Sequence, residues 1–304
     1  MKRFTFISLA LLILVPLLAF CAWAKPKTPA RKHVKPKVTA LICSYRERGF
    51  SGSGVETESS MVVIGGLVAG KGWISSEQAK GLLHKGDKLP LHVPITGAPL
   101  GTVVLTGSEG ALGYGINPPY FVAHATIPSR KRDTYRKADK EGLAVWSQLG
   151  HAPRWVTGKV LNVNSKYYRK VITNWLRTRE TSDLAVKYMV VEQIIQADIN
   201  RDGRMEAFLS FHSSFETNRV PRDQAFSCLI MQYNSGTRGK TKTVAIADEN
   251  SDLVMFLIGG FCDLDRDGWA EVVIRWWGGE GNGSDLLHWT GDRFKLLRGW
   301  ELNV

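Results

Sequence analysis

The chain carries one ten-residue pattern twice, as Ala197–Glu206 (ADINRDGRME) and, 65 residues later, as Cys262–Glu271 (CDLDRDGWAE). Both copies read D-x-[DN]-x-D-G-x-x-E. The stretches that follow them, Ala207–Phe211 and Val272–Trp277, are rich in β-branched and aromatic residues, which is typical of strands. Each copy therefore predicts a strand, an acidic loop and a second strand, in a unit that occurs twice.

The spacing of the oxygen-bearing side chains favours a hard cation such as Ca²⁺. This ion takes about six to eight oxygen ligands, and loop positions 1, 3 and 5 supply several of them when the chain curls around it. Position 6 is glycine in both copies, where a turn needs freedom in φ. Position 7 would add a backbone carbonyl, and position 9 a carboxylate. The predicted ligands are Asp198, Asn200, Asp202, Arg204 and Glu206 in the first copy, and Asp263, Asp265, Asp267, Trp269 and Glu271 in the second.

An EF-hand is a weaker interpretation of the same pattern. An EF-hand places a bidentate Glu at position 12 of its loop. This chain has Leu209 and Ile274 at that position, and both belong to the predicted strands. The flanking segments also lack the helical character that an EF-hand requires. The pattern therefore predicts a calcium loop between strands.

The two loops resemble the calcium loops of FG-GAP or VCBS-type repeats, over roughly residues 186–290. The resemblance implies antiparallel, propeller-blade-like units in which a structural Ca²⁺ joins two strands. Two features differ from those repeats. The ninth residue is Glu rather than the usual Asp, and two copies are fewer than the about four to eight blades of a closed propeller. The alternative for each loop is an acidic, glycine-containing turn that binds no metal.

The first 24 residues have the pattern of a secretory signal peptide. Lys2 and Arg3 precede an apolar run, Phe4–Phe20, and Ala22-Trp23-Ala24 forms a small-x-small cleavage pattern. The run is shorter than the about 20 residues that a membrane-spanning helix needs, although a retained anchor stays the alternative. We therefore predict an exported protein of the periplasm or the exterior, with no transmembrane segment after cleavage.

Residues 25–37 form a basic segment with six Lys or Arg, three Pro and no acidic residue. This composition predicts an extended linker. It would suit an anionic envelope polymer or glycan, and a solvated spacer is the simpler alternative. The whole chain has a net charge of +12 and a pI of about 9.6. Export argues against nucleic acid as the partner despite this charge.

The remaining chain predicts a mainly β protein of α+β character. Residues 38–127, with short apolar stretches between Gly, Pro and Ser clusters, predict a small β-rich domain. Residues 128–141 are a charged linker, and residues 142–304 form the calcium-loop repeat domain. One helix is expected after Ser165, packed on the repeat sheet through Trp175. Its apolar face repeats every three or four residues and consists of Tyr168, Val171, Ile172, Trp175 and Leu176.

The chain contains none of the local catalytic motifs that we searched for, such as H-E-x-x-H or G-x-S-x-G. Its seven histidines are not at metal-ligand spacing to one another or to a cysteine. The predicted function is therefore a calcium-stabilised binding or scaffold protein of the cell envelope. The alternative is an envelope or secreted hydrolase, glycosidase-like, with Glu280 as its acid.

Five tryptophans lie in the C-terminal part of the chain: Trp269, Trp276, Trp277, Trp289 and Trp300. Neighbouring residues on a strand point to opposite faces, so either Trp276 or Trp277 is expected on an open face. An exposed aromatic ring suits a sugar or a protein partner, whereas packing in the core is the alternative.

Three cysteines remain after the signal segment: Cys43, Cys228 and Cys262. An oxidising compartment permits one disulfide among them. The pair Cys228–Cys262 is one expectation because both lie in the repeat region, and buried free thiols are equally compatible with the sequence.

Overall fold

The computed structural model describes residues 39–46, 59–79, 81–107, 120–138, 141–147, 153–213, 220–234, 241–249, 254–278, 281–291 and 293–303. Strands account for 55% and helices for 15%, so the prediction of a mainly β protein is confirmed. The signal segment and the basic linker lie outside the described residues. Within the described ranges, none of the helices combines the length and the apolar character that crossing a bilayer requires.

The N-terminal part is a closed antiparallel barrel of six strands, extended by a seventh. Its strands are β1 Ala40–Arg46, β2 Ser60–Val68, β3 Gly72–Ser75, β4 Lys88–His92, β5 Pro99–Leu105, β6 Tyr120–Thr126 and β7 Glu141–Ser147. The order is β1-β7-β4-β5-β6-β2, and the pairing of β1 with β2 closes the barrel. Strand β3 pairs with β2 outside the ring. The barrel thus includes β7, which the sequence analysis assigned to the linker and the following domain.

Short helical segments connect the barrel strands. Helix α1, Arg132–Lys137, precedes β7, and two single 3₁₀ turns cover Glu77–Ala79 and Ser129–Lys131. Helix α1 has Asp133 in its first turn and Arg136 and Lys137 in its last turn, an arrangement that complements the helix dipole. The predicted charged linker is therefore partly helical.

Strand β1 is apolar at successive positions and does not alternate between apolar and polar residues. Leu41, Cys43 and Tyr45 point into the barrel core. Ala40 and Ile42 point outward and pack against the second half of the molecule. A strand that is buried on both faces has no solvent-facing positions for polar residues, so its sequence reads as a continuous apolar run.

The C-terminal part contains two five-stranded antiparallel sheets with the same connectivity. The first sheet has the order β13-β12-β11-β10-β9, and the second has the order β17-β16-β15-β14-β8. In each sheet, four consecutive strands form a meander, and one short strand pairs with the outer edge of the first of them. The strands are β8 Arg154–Trp155, β9 Lys159–Val160, β10 Met189–Ala197, β11 Glu206–Ser213, β12 Ser227–Asn234, β13 Thr241–Glu249, β14 Val254–Asp263, β15 Glu271–Gly278, β16 Gly281–Trp289 and β17 Phe294–Asn303.

The layers stack in the order helix, first sheet, second sheet and barrel. Helix α2, Lys166–Arg177, covers the outer face of the first sheet, with Tyr168, Ile172 and Leu176 buried. Its Trp175 meets Phe211 edge to face at a centroid distance of 5.9 Å, so the predicted helix packs on this sheet through Trp175. Helix α3, Asp183–Lys187, and a 3₁₀ turn at Arg222–Gln224 are the other helical segments among the described residues of this part.

A second core lies between the two sheets, and a third joins the second sheet to the barrel. A barrel loop reaches the sheets through Ile95, which has φ 64°. The Ile95 amide donates to the Gly259 carbonyl (3.1 Å), and the Ile95 carbonyl accepts from Gly158 N–H (2.9 Å). A Cβ at Gly260 would lie 2.7 Å from Leu143 Cδ1, so this glycine is needed for the close approach.

The expected disulfide between Cys228 and Cys262 is wrong. All three cysteines are buried free thiols. Cys228 faces the helix layer, whereas Cys262 faces the barrel. The two sheets of the sandwich therefore separate the thiols, and no bridge can form without unfolding the core.

Candidate functional site

Two acidic loops lie side by side at one end of the sandwich. The first loop, Asp198–Glu206, joins β10 to β11, and the second loop, Asp263–Glu271, joins β14 to β15. The Ala270 amide of the second loop donates to the Ile199 carbonyl of the first loop at 2.7 Å. The two predicted metal sites therefore share one edge of the molecule.

Both loops follow the same backbone path. The fourth residue, Arg201 or Arg266, has φ 58° or 57°, and the sixth, Gly203 or Gly268, has φ 80° or 94°. Left-handed conformation is uncommon for a residue with a side chain, so its recurrence at the same position is informative. In both loops the third residue's side-chain oxygen also accepts from the amide of the fifth residue at 3.0 Å.

The second loop brings three predicted ligands together. Asp263, Asp265 and Asp267 each offer a carboxylate oxygen, and these oxygens lie within 4.8 Å of one another. The Asp263 side chain is fully buried, and neither of its oxygens makes a hydrogen bond of normal geometry within the described residues. Burial raises the pKa of Asp263 and the nearby Asp267 charge raises it further, whereas Arg201 and the backbone amides of Gly268 and Arg266 oppose this shift. A buried carboxylate without well-formed hydrogen bonds is costly, and a bound cation would offset that cost.

The nearest positive charge to Asp263 comes from the other loop. Arg201 Nη2 lies 3.6 Å from Asp263 Oδ2, which is beyond ordinary hydrogen-bond distance. The guanidinium opposes the effect of burial on the pKa of Asp263. No signal in the sequence pointed to Arg201, because the contact depends on how the two loops are placed.

Glu271 lies at the ninth position of the second loop and is fully buried. Its Oε2 accepts from Leu264 N–H at 2.9 Å, and its Oε1 is 2.9 Å from His288 Nδ1. Burial raises the pKa of Glu271 well above its usual value. The carboxylate therefore braces the loop from within, and it is not one of the three clustered carboxylates. His288 comes from β16, and nothing in the sequence indicated this pairing.

In the first loop, backbone amides of the loop itself donate hydrogen bonds to both carboxylate oxygens of its first residue, Asp198. Asp198 Oδ1 accepts from Asp202 N–H at 3.1 Å, and its Oδ2 accepts from Gly203 N–H at 3.0 Å. Glu206 makes one of the two contacts that Glu271 makes in the second loop, because its Oε2 accepts from Ile199 N–H at 3.0 Å. Burial raises the pKa of Glu206 to about 7.

The two residues predicted to offer backbone carbonyls occupy equivalent positions. The amides of Arg204 and Trp269 each donate to the aspartate two residues earlier, at 2.8 Å. These bonds keep the seventh residue of each loop against the aspartate of the fifth position.

A cavity of about 220 Å³ opens beside the first loop. It lies where both loops meet the ends of β12, β13 and β16. Its walls combine aromatic rings, a lysine and polar side chains, among them Asn200, Glu206, Tyr233, Lys242, Trp269 and Trp289. The sequence analysis identified the tryptophans but could not bring them together with Tyr233 and Lys242.

The remaining candidates from the sequence lie elsewhere. Trp277 is 53% exposed, whereas its neighbour Trp276 packs on the inter-sheet core, so the predicted open-face tryptophan is Trp277. Glu280 and the side chain of Trp300 fall outside the described residues.

The arrangement as a whole supports cation binding by the second loop and small-molecule binding in the adjacent cavity. Its carboxylates are clustered and partly buried, and its aromatic rings surround a concave surface. Comparison of the chain with protein-family models, with curated proteins and with solved structures gives no match.

Proposed function

We propose that this chain is an exported, calcium-stabilised binding or scaffold protein of the cell envelope. One observation carries the calcium part of this proposal. The Asp263 carboxylate is fully buried and makes no hydrogen bond of normal geometry in the described structure, and Asp265 and Asp267 lie beside it. Oxygen-only ligands and clustered negative charge suit a hard cation better than a transition metal.

The residues that would hold the ion are Asp263, Asp265 and Asp267, and the loop spacing predicts the Trp269 carbonyl as a further ligand. A bound Ca²⁺ would neutralise the clustered carboxylates and link the end of β14 to the start of β15. A site filled by protein oxygens leaves no open position for a substrate, so the role proposed for the ion is structural. Export and envelope association rest on the signal-peptide pattern and on the basic residues 25–37.

Thermal unfolding of the purified chain with excess Ca²⁺, with Mg²⁺ and with a chelator tests the proposal. A ligand that binds only the folded state adds about 2.7 kcal/mol at a hundred times its Kd. We expect Ca²⁺ to raise the Tm by about 5–10 °C over the chelator. Mg²⁺ should raise it less, because it demands tighter octahedral geometry and loses water reluctantly.

A matched pair of variants separates a specific site from general screening of charge. Asp267→Ala removes one member of the clustered carboxylates, and Asp202→Ala removes its equivalent in the first loop. The first variant should lose most of the Ca²⁺-dependent rise in Tm. Equal rises in the wild type and in Asp267→Ala would overturn the calcium assignment.

Envelope association has a separate test. The purified mature chain is mixed with envelopes from the source organism, sedimented, and compared with a chain that lacks residues 25–37. We expect the full mature chain to sediment with the envelopes and to be released by added salt, because binding through the basic segment is screened by ions. Equal sedimentation of the two chains would exclude this segment as the anchor.

A further inference from the structure

We propose that the cavity beside the first loop binds a single pyranose sugar ring. Both loops contribute to the walls of this cavity. The expected effect of calcium on sugar binding therefore rests on the proposed function. Asn200 and Glu206 belong to the first loop, and Trp269 belongs to the second. The volume of about 220 Å³ is below the about 300–1,000 Å³ typical of sites for drug-sized ligands. A single ring therefore fits this space better than an extended chain.

Aromatic rings form the apolar part of the cavity. The side chains of Trp269 and Tyr233 are half-buried, so part of each ring faces the open space. Trp289 is buried and meets Tyr233 at a centroid distance of 5.4 Å and an interplanar angle of 70°. This edge-to-face contact holds the Tyr233 ring in place. The C–H face of a pyranose can pack on such preformed aromatic surfaces.

Polar side chains complete the lining in the way that a polyhydroxylated ligand requires. Asn200 and Asn234 carry amides, which both donate and accept hydrogen bonds. Lys242 adds a donor and Glu206 adds acceptors, so the walls hold one cation and one acid. A phosphate or polyanion would require an excess of positive charge. The balanced lining favours a neutral sugar.

The two loops couple this cavity to the calcium site. Trp269 follows Asp267 by two residues, and its amide donates to the Asp267 carboxylate at 2.8 Å. The next residue, Ala270, is hydrogen-bonded to Ile199 of the first loop. A cation on the second loop would therefore hold Trp269 in position, and removing it should weaken sugar binding.

Isothermal titration calorimetry of the mature chain tests the proposal, with the methyl pyranosides of glucose, galactose, mannose and N-acetylglucosamine as probes. Sorbitol serves as a control that carries hydroxyls but no ring. We expect at least one pyranoside to bind with a millimolar Kd in excess Ca²⁺ and sorbitol to bind at least tenfold more weakly. Absence of binding by all four pyranosides, or equal binding of sorbitol, would overturn the sugar assignment.

Two variants and a matched control locate the site. Trp269→Ala should raise the Kd about tenfold or more, as for a central aromatic contact. Trp277→Ala should leave the Kd unchanged, because Trp277 lies six residues beyond Glu271 on β15, roughly 20 Å from the loops. Lys242→Ala removes an exposed side chain of the cavity wall, and it should also weaken binding several-fold. An unchanged Kd in both Trp269→Ala and Lys242→Ala would overturn the assignment to this cavity.

The same titrations distinguish failure of the sugar site from failure of the calcium site. If Ca²⁺ raises the Tm but no pyranoside binds, the sugar inference is overturned and the proposed metal site stands. If a pyranoside binds with the expected variant pattern and Ca²⁺ changes neither the Tm nor the Kd, the cavity assignment stands and the calcium proposal falls.

Discussion

The first and second loops share a sequence pattern and a backbone path, yet they treat their leading aspartate differently. Both Asp198 oxygens accept backbone N–H groups in well-formed hydrogen bonds, whereas neither Asp263 oxygen makes one of normal geometry, although the amides of Gly268 and Arg266 lie close enough to lower its pKa. Asp198 is also half-exposed, whereas Asp263 is fully buried beside Arg201 of the first loop. The same motif therefore leaves its leading carboxylate in two different environments. If the loops bind a cation, the second loop is expected to depend on it more.

The largest difference is expected between the two bracing glutamates. Glu271→Ala should cost about 3 kcal/mol of unfolding free energy, because it leaves a cavity and removes the partner of both Leu264 N–H and His288. Glu206→Ala should cost about 1–2 kcal/mol, because Glu206 borders an open cavity. Urea unfolding in chelator measures both. Equal costs would show that the second loop is no more tightly packed than the first.

The two loops should also contribute unequally to the stabilisation of the protein by Ca²⁺. Asp263→Asn should lose most of the about 2.7 kcal/mol expected at a hundred times the Kd, whereas Asp198→Asn should keep most of it. In chelator, Asp263→Asn should be at least as stable as the wild type, because a neutral amide costs less to bury than a carboxylate. Unfolding with and without Ca²⁺ gives both quantities. A larger loss in Asp198→Asn would reverse the assignment.

The glycines at position 6 test whether the two backbones are truly equivalent. Gly203→Ala and Gly268→Ala should each cost about 1 kcal/mol, because both positions have φ in the left-handed region. No atom lies within 4 Å of a Cβ built at either position, so a clash adds nothing. Unfolding free energies that differ by more than the experimental error would indicate different strain in the two loops.

The smallest effect concerns the arginines at position 4. Replacement of Arg201 or Arg266 by glycine relieves the same positive φ, worth about 0.5–1 kcal/mol. Only Arg201→Gly also removes the contact to Asp263, which should offset that gain in chelator. Arg201→Gly should therefore be the less stable of the two variants in chelator. The difference should shrink in Ca²⁺, since the ion would supply the positive charge.

Local signals in the sequence predicted the strands around both loops and helix α2. The reason is that the β-branched and aromatic content of a strand and the three-to-four spacing of Ile172 and Leu176 are patterns within a few residues. The left-handed residues of the loops were only partly foreseeable. Glycine at position 6 indicated one of them, but arginine at position 4 has no such preference.

Contacts between distant segments escaped prediction because they follow from how whole layers pack. Strand β7 joins the barrel by pairing with β1 about a hundred residues earlier, for example Val145 with Ile42. The sequence around β7 resembles that of any buried strand, so it does not name its partner. The same limitation explains why the predicted Cys228–Cys262 disulfide is wrong. Both cysteines lie in the repeat region of the sequence, but this did not reveal that they face opposite sides of the sandwich.

Residue types and short spacings were sufficient to predict the acidic loops, their flanking strands and the mainly β character. The burial of the Asp263 carboxylate, the approach of Arg201 and the grouping of aromatic rings around a cavity became apparent only in the folded chain. Burial and electrostatic environment arise when whole layers pack together, so no short stretch of sequence specifies them. Two nearly identical loops therefore differ in the burial of their first aspartate, Asp198 being half-exposed and Asp263 fully buried.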